Sequence, residues 1–255
     1  MTEFSMSKGI TALIPARSGS LRVPGKNKAN LCGHPLISYT LVEAIKSNLF
    51  DKIVVASDDV QILRIAEYYG ASILFKRSKK DAGSTSLDIE WLTNVYDAGL
   101  INTETFSILR PTSPFRSIDL MKRSISLFLN APFDSLRTIK KVSEHPGKMW
   151  ILNEENGIKP FIEASPGEVA FHAMQYQSLQ SIYVQTSVME IARTSVIPNT
   201  KTREGRSVMG LVTSGIDSFS IDSVDDFRYA NFLAQEFPTF LPEIDLRPYF
   251  GEHQI

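Results

Sequence analysis

The chain has almost no cysteine, no long apolar run and no overall excess of charge, and each absence closes off a class of function. Cys32 is the single cysteine among 255 residues, which excludes an internal disulfide and any multi-cysteine metal site and fits a reducing compartment. No stretch approaches the roughly 20 consecutive apolar residues of a membrane span, and residues 1–8 carry no apolar core of the signal-peptide kind. A net charge of -1 offers no global basic surface to nucleic acid or an anionic bilayer. The expectation is a cytoplasmic protein with neither nucleic acid nor membrane as partner. Two phosphate-binding signatures are also missing. Gly19 and Gly25 are separated by five residues where a Walker loop needs four, Lys26 precedes Asn27 rather than Ser or Thr, and there is no GxGxxG turn.

One further absence is local. No Asp or Glu occurs from Phe4 through Val42, and this acid-free window holds Arg17, Arg22, Lys26 and Lys28. A short apolar run at residues 10–14 has strand length, and Pro15 ends it because proline has no amide hydrogen for a sheet ladder. A loop of small residues follows, in which Gly19 and Gly25 permit angles and close approaches denied to other residues, so that successive amides converge on one anion. An unneutralised cationic loop suits a polyphosphate. A nucleoside triphosphate is the expected ligand, against the alternative of a solvated basic loop.

With 43% hydrophobic residues the chain can bury a core as a single domain, residues 1–255. Pro35 sits at a favoured helix start before Leu36, Ile37, Leu41, Ala44 and Ile45 at helical spacing. A strand over residues 52–56 leads through a Ser57-Asp58 cap into a helix ending at Gly70. A strand over 71–75, a helix over 87–98, a strand over 105–109 and a Ser117-capped helix to Leu129 continue the alternation. The fold class is therefore α/β, with a mostly parallel, Rossmann-like sheet covered on both faces and ligands at the carboxyl ends of strands. At such ends lie Arg77, the hydroxyls of Ser84, Thr85 and Ser86, and the proline-stiffened stretch from Arg110 to Arg116.

After a strand over 134–142 the periodicity breaks, and residues 143–180 read as an inserted lobe that dimerises or closes over substrate. His145 and His172 have no further ligand at zinc spacing, and Trp150 reads as packing. Strands over 182–191 and 207–213 resume the sheet. A short alternating strand over 217–222 then runs into a helix with Phe227, Ala230, Phe232, Leu233 and Phe237. Asp222 at that junction could hold magnesium, which needs only one or two protein carboxylates; the alternative is that Asp222 or Ser223 caps the helix, with Asp225 and Asp226 opposing its dipole. Spacing leaves both open.

The ordered set Ala-Arg-Ser-Gly-Ser-x-Arg-Val-Pro-Gly-Lys-Asn, Arg-Pro-Thr-Ser-Pro-Phe-Arg, His-Pro-Gly-Lys and Ser-Ile-Asp-Ser-Val-Asp-Asp-Phe resembles the acylneuraminate cytidylyltransferase family. The resemblance implies a nucleotidyltransferase fold, a homodimer formed through the inserted lobe, and magnesium-dependent transfer of CMP from CTP to a sugar acid with release of pyrophosphate. It also implies residue roles. Arg17, Ser18, Ser20, Lys26 and Asn27 match the triphosphate loop, with Ala16, Gly19, Arg22 and Ser86 beside them, and Arg77 matches a second phosphate-side arginine. Lys148 matches a sugar-side lysine, joined by Arg110, Thr112 and Ser113. Asp222 matches a metal aspartate and, with Arg17 and Lys26, makes the catalytic set.

The chain departs from the family at Leu21 for a loop lysine, Ser220 for the first metal aspartate, Arg110 for a glutamine and Thr186 for an asparagine. No arginine lies between Arg137 and Arg193, where sialic-type enzymes carry one for the sugar carboxylate; Arg110 or Lys148 replaces it, or the substrate is of another type. Alternatives are the same chemistry with another sugar or base, or a nucleotide-binding member without turnover.

Overall fold

The computed structural model describes residues 7–20 and 22–251, so Leu21 and the expectation at residues 1–6 lie outside the described residues. The first strand, β1 (Ser7–Pro15), sends Ile10, Ala12 and Ile14 into one apolar cluster and Leu13 into another. That two-sided burial is what a central parallel strand requires, since helices cover both faces. It is flanked by β2 (Lys52–Ser57) and β4 (Thr103–Ile108), with β3 (Ile73–Lys76), β5 (Ser135–Lys141), β6 (Tyr183–Arg193) and β7 (Val208–Val212) completing the sheet. The spatial order is β7-β5-β6-β4-β1-β2-β3. Only β6 runs against the rest: it pairs antiparallel with β4 and β5, while the other pairings are parallel.

Helices α1 (Leu36–Ser47), α2 (Val60–Tyr68) and α4 (Ile118–Leu129) cover one face through Leu41, Ile65 and Phe128. Helices α3 (Asp88–Asp97) and α5 (Val196–Thr200) cover the other through Trp91, Leu92 and Ile197. The last helix, α6 (Val224–Glu236), packs Ala230 and Ala234 beside Leu31, Leu36 and Phe115. No helix among the described residues is long and apolar enough to cross a membrane.

Three local expectations are corrected. Asp59, not Asp58, caps α2 by accepting from the Gln61 amide at 2.8 Å; Asp58 instead accepts from the amide and hydroxyl of Ser18. Residues 217–222 form no strand: a 3-10 turn, Gly215–Ser218, is followed by irregular chain. Gly25 is left-handed, at φ 65, as a glycine there should be, whereas Gly19 has ordinary φ and room for a Cβ, the nearest atom being 3.9 Å away. The conformation of the free chain therefore does not demand glycine at 19.

Residues 143–180, the stretch read as a lobe, lie between β5 and β6 and hold a small antiparallel pair, Trp150–Leu152 with Ile158–Pro160. Its frame is the His145-Pro-Gly-Lys148 turn. His145 Nδ1 accepts from the Gly147 amide at 3.0 Å, which leaves Nε2 to donate to the Gln180 carbonyl at 2.9 Å. A side chain at 147 would meet the Phe171 Cβ at 2.9 Å, so glycine is required there by close approach. Trp150 is 43% exposed and lies against the His172 ring, centroids 4.6 Å apart; the expected packing is partial.

Candidate active site

A cleft of about 820 Å³ opens at the carboxyl ends of β1, β3 and β4, and its lining includes Arg17, Ser20, Arg22, Lys26, Asn27, Arg77, Ser86, Arg110, Thr112 and Asp222. Arg17 and Asp222, 205 positions apart in the chain, thus line one cleft, because six strands point their carboxyl ends to the same edge. Ala16 is fully buried beneath the cleft, its amide donating to the Ala56 carbonyl at 2.9 Å. Ser18, Gly19, Ser113 and Lys148 are not brought to the lining.

The loop after β1 is braced by its own chain. Arg17 donates to the Gly83 carbonyl at 2.8 Å, and Asn27 donates to the Arg17 carbonyl at 3.0 Å. Lys26 is buried and donates to the Ile221 carbonyl at 2.6 Å, tying the loop to the segment bearing Asp222. Burial pushes the Lys26 ammonium below its usual pKa, while Asp222 pulls it back up. Lys28 turns away, pairing with Asp59 at 2.8 Å and Gln61 at 2.7 Å. The expected convergence of loop amides is not met at two positions: Ser18 spends its amide on Asp58, and the Ser20 amide donates to the Ser18 carbonyl at 3.0 Å. Cationic side chains, more than amides, make this wall positive.

Arg77 is buried with its guanidinium over the Trp91 ring, 5.4 Å from the centroid, and bonded to the Asp81 carbonyl. Its Nε is buried with no hydrogen-bond partner, an unspent donor of the kind that native structures seldom leave outside functional sites. Burial lowers its pKa, opposed by Asp88 and other carboxylates. Ser86 donates to the Lys80 carbonyl at 2.5 Å, so its oxygen remains able to accept.

At the far end, the alternatives for Asp222 separate. Ser223 is the cap of α6 and forms a reciprocal capping box with Asp226. Asp226 also accepts from the Asp222 amide at 2.9 Å. The Asp222 carboxylate is thereby excused from capping; it borders the cleft and pairs with Arg22 at 3.2 Å, their side chains 48% and 72% exposed. Ser220, two residues earlier, has a buried hydroxyl oxygen without a partner.

The stretch from Arg110 to Arg116 is held by Arg116, whose side chain donates to the carbonyls of Val188 and Arg110 and to Thr40 Oγ1. The Thr112 carbonyl accepts from the Ile221 amide at 2.8 Å, joining this loop to the Asp222 segment. Lys148 instead bonds the carbonyls of His172 and Met174 at 3.2 and 2.8 Å within the lobe.

Sequence reasoning missed a second group in the cleft: Asp88, Arg137, Glu190, Arg203 and Glu204 join Arg110 there. Arg110 contacts Asp88 and Glu190, Arg137 contacts Glu190, and Arg203 contacts both acids. The signal was cross-strand: Glu190 on β6 lies in register opposite Arg137 on β5. Burial pushes the Asp88 carboxyl up, but Arg110 and Arg203 outweigh it and hold it down at about 2. A lowered folded pKa contributes stability above the unfolded value, lost as pH falls from about 4 toward 2. Wild type is therefore expected to exceed Asp88→Asn by roughly 2 kcal/mol near pH 6 from this term, the gap closing toward pH 2 in urea unfolding; a gap that does not change with pH would refute the assignment.

The sequence profile of the family described as Cytidylyltransferase matches residues 11–154, which carry the cationic loop after β1, Arg77 and the stretch from Arg110 to Arg116. CMP-N,N'-diacetyllegionaminic acid synthase of Legionella pneumophila is 38% identical over 157 residues, covering 59% of this chain and 66% of that protein. N-acylneuraminate cytidylyltransferase of Escherichia coli is 29% identical over 241 residues, covering 91% of this chain and 53% of that protein. The chain thus spans just under two thirds of the first relative and about half of the second. The fold is like that of a solved CMP:2-keto-3-deoxy-manno-octonic acid synthetase complexed with CTP, at TM-score 0.65 and 14% identity over 90% of this chain and 100% of that one. With more than half its length matched by the profile, and with the cationic loop, Arg77 and the proline-stiffened stretch gathered at one cleft, the chain belongs to the cytidylyltransferase family.

Proposed function

We propose that this chain transfers CMP from CTP to a sugar acid of the nonulosonic type, releasing pyrophosphate. The observation that carries the reading is the convergence of Arg17, Arg22, Lys26 and Arg77 on one cleft that also holds Asp222. A sugar hydroxyl forms a bond to the α-phosphorus, the bond to the bridging oxygen breaks, pyrophosphate departs with the electron pair, and the hydroxyl proton passes to solvent. Such a reaction needs in-line placement and neutralised charge more than covalent help from protein. Arg17, Lys26 and Arg77 supply the charge, each phosphate contact being worth about 1.5–3 kcal/mol, and Asn27 holds the Arg17 backbone in place.

Magnesium fits the residues present as a shared ion. No group of three or more His, Cys, Asp or Glu among the described residues could hold a metal alone, but Asp222 offers one carboxylate at the cleft, and phosphate oxygens and water complete such a shell. When bound, the ion would neutralise charge on the triphosphate and the departing pyrophosphate. The lobe offers a surface for a second copy of the chain: Leu152, Ile158, Phe161 and Val169 are each more than 55% exposed, an apolar exposure typical of interaction sites.

The test is pyrophosphate release with magnesium, the four nucleoside triphosphates in turn, and N-acetylneuraminic, N,N'-diacetyllegionaminic, pseudaminic and ketodeoxy sugar acids. Release with CTP and one acid is expected, and Asp222→Asn should weaken its magnesium dependence. Release with another nucleotide only would overturn the base assignment. Tight CTP binding without release would favour a nucleotide-binding protein.

A further inference from the structure

The six-residue cluster on the cleft wall does not balance equally at all its members. Arg110, Arg137 and Arg203 face two well-held acids. Glu190, whose side chain is 8% exposed, contacts all three arginines, and Asp88 contacts Arg110 and Arg203. Three guanidiniums against two carboxylates leave one positive charge. Glu204 supplies the remaining carboxylate, and supplies it loosely: its side chain is 41% exposed, and one oxygen meets Arg137 at 3.3 Å and Arg203 at 3.7 Å. The two arginines are 11% and 19% exposed, so the strongly desolvated partners are shared with the most solvated acid in the set.

We propose that the gap between Arg137 and Arg203 is the subsite for the carboxylate of the acceptor sugar, and that Glu204 is its displaceable occupant in the free protein. The inference rests on the sugar-acid reading above and names the residues that select for an acid. Asp88 and Glu190 hold the guanidiniums in a fixed orientation, which is how an arginine pair becomes specific for a planar carboxylate. A neutral sugar would gain nothing there, because Glu204 already satisfies the pair. An acid exchanges the two long contacts of one solvated Glu204 oxygen for two direct ones. The absence of an arginine between Arg137 and Arg193 is then compensated from β5 and from the loop after α5, and Lys148 is not required.

The test uses wild type, Arg137→Lys, Arg203→Lys and Glu204→Gln. KM for CTP and for each acid is read from pyrophosphate release, and Kd for the same acids and their methyl esters is read by calorimetry without magnesium. Each lysine variant is expected to raise KM and Kd for the acid about tenfold or more while leaving KM for CTP within about twofold. Glu204→Gln is expected to do the opposite, lowering both values for the acid about twofold to fivefold. That direction cannot come from a damaged fold. The esters should bind wild type at least as weakly as the acids bind the lysine variants. Release of pyrophosphate with acid constants unmoved by all three substitutions overturns the subsite, as does failure of wild type to bind any acid. Arginine-dependent acid binding with no release from any nucleotide overturns the transferase reading and leaves the subsite standing.

Discussion

Replacing Lys26 by methionine is expected to lower kcat/KM for the nucleotide by about 10²- to 10³-fold, the usual cost of removing one preorganised charge from a charge-stabilised transition state. The fold should survive, because the apolar stem is kept, although the Ile221 carbonyl loses its donor at roughly 1–3 kcal/mol. Lys28→Met is the control. It lies two residues on in the same acid-free window, but its ammonium is committed to Asp59 and Gln61 outside the cleft, so kcat/KM should stay within about twofold. Activity should also decline at alkaline pH as Lys26 loses its proton, and it should do so below the ordinary lysine value because burial lowers that pKa. Asp222→Asn removes a raising influence and should move the decline lower still. If Lys26→Met and Lys28→Met behave alike, Lys26 is only a strut.

Arg116→Leu is expected to destabilise the protein by about 3–5 kcal/mol, the range for removing one member of a buried charged network. Arg116 is 3% exposed and supplies donors to the Val188 and Arg110 carbonyls and to Thr40. Burial disfavours its charge, with Glu43 opposing. Deleting the guanidinium takes a donor from the buried Val188 carbonyl and Thr40 hydroxyl, while the Arg110 carbonyl keeps the Ser113 amide at 3.2 Å. At about 2–4 °C per kcal/mol for a chain of this size, the melting temperature should fall by roughly 10 °C. Lysine should not rescue it, since an ammonium cannot span three acceptors with the geometry of a fork. Activity should fall as well, because the Arg110 carbonyl and the irregular stretch of β6 between Gln185 and Glu190 are held by the same side chain. Unaltered stability would show that water replaces the guanidinium.

The cationic loop after β1 was legible because its signal is local. Pro15 stops a strand, Gly25 needs a left-handed turn, and acids are absent for a whole window; none of these depends on distant chain. Arg77 was legible as a residue just past a strand. The second charged cluster was not. Arg137 meets Glu190 across 53 residues, and Arg203 meets Asp88 across 115. Residues 143–180 separate β5 from β6, hiding the cross-strand pairing until the register is known. Lys148 shows the converse: its motif is plain in the chain, yet the structure spends its ammonium on two carbonyls within the lobe.

The amino-acid sequence by itself determined the alternation of strands and helices, the edge at which a ligand collects, and the sign of the charge waiting there. Periodic burial and missing acids are properties of neighbouring residues, and they survive whatever the rest of the chain does. Only the tertiary structure decided which lysine of the loop faces the cleft, that Ser223 caps α6 and frees Asp222, and that three arginines share two firm carboxylates and one loose one. Long charged side chains have little local preference, and their partners are chosen by distances that exist only after β6 has entered the sheet antiparallel between β4 and β5.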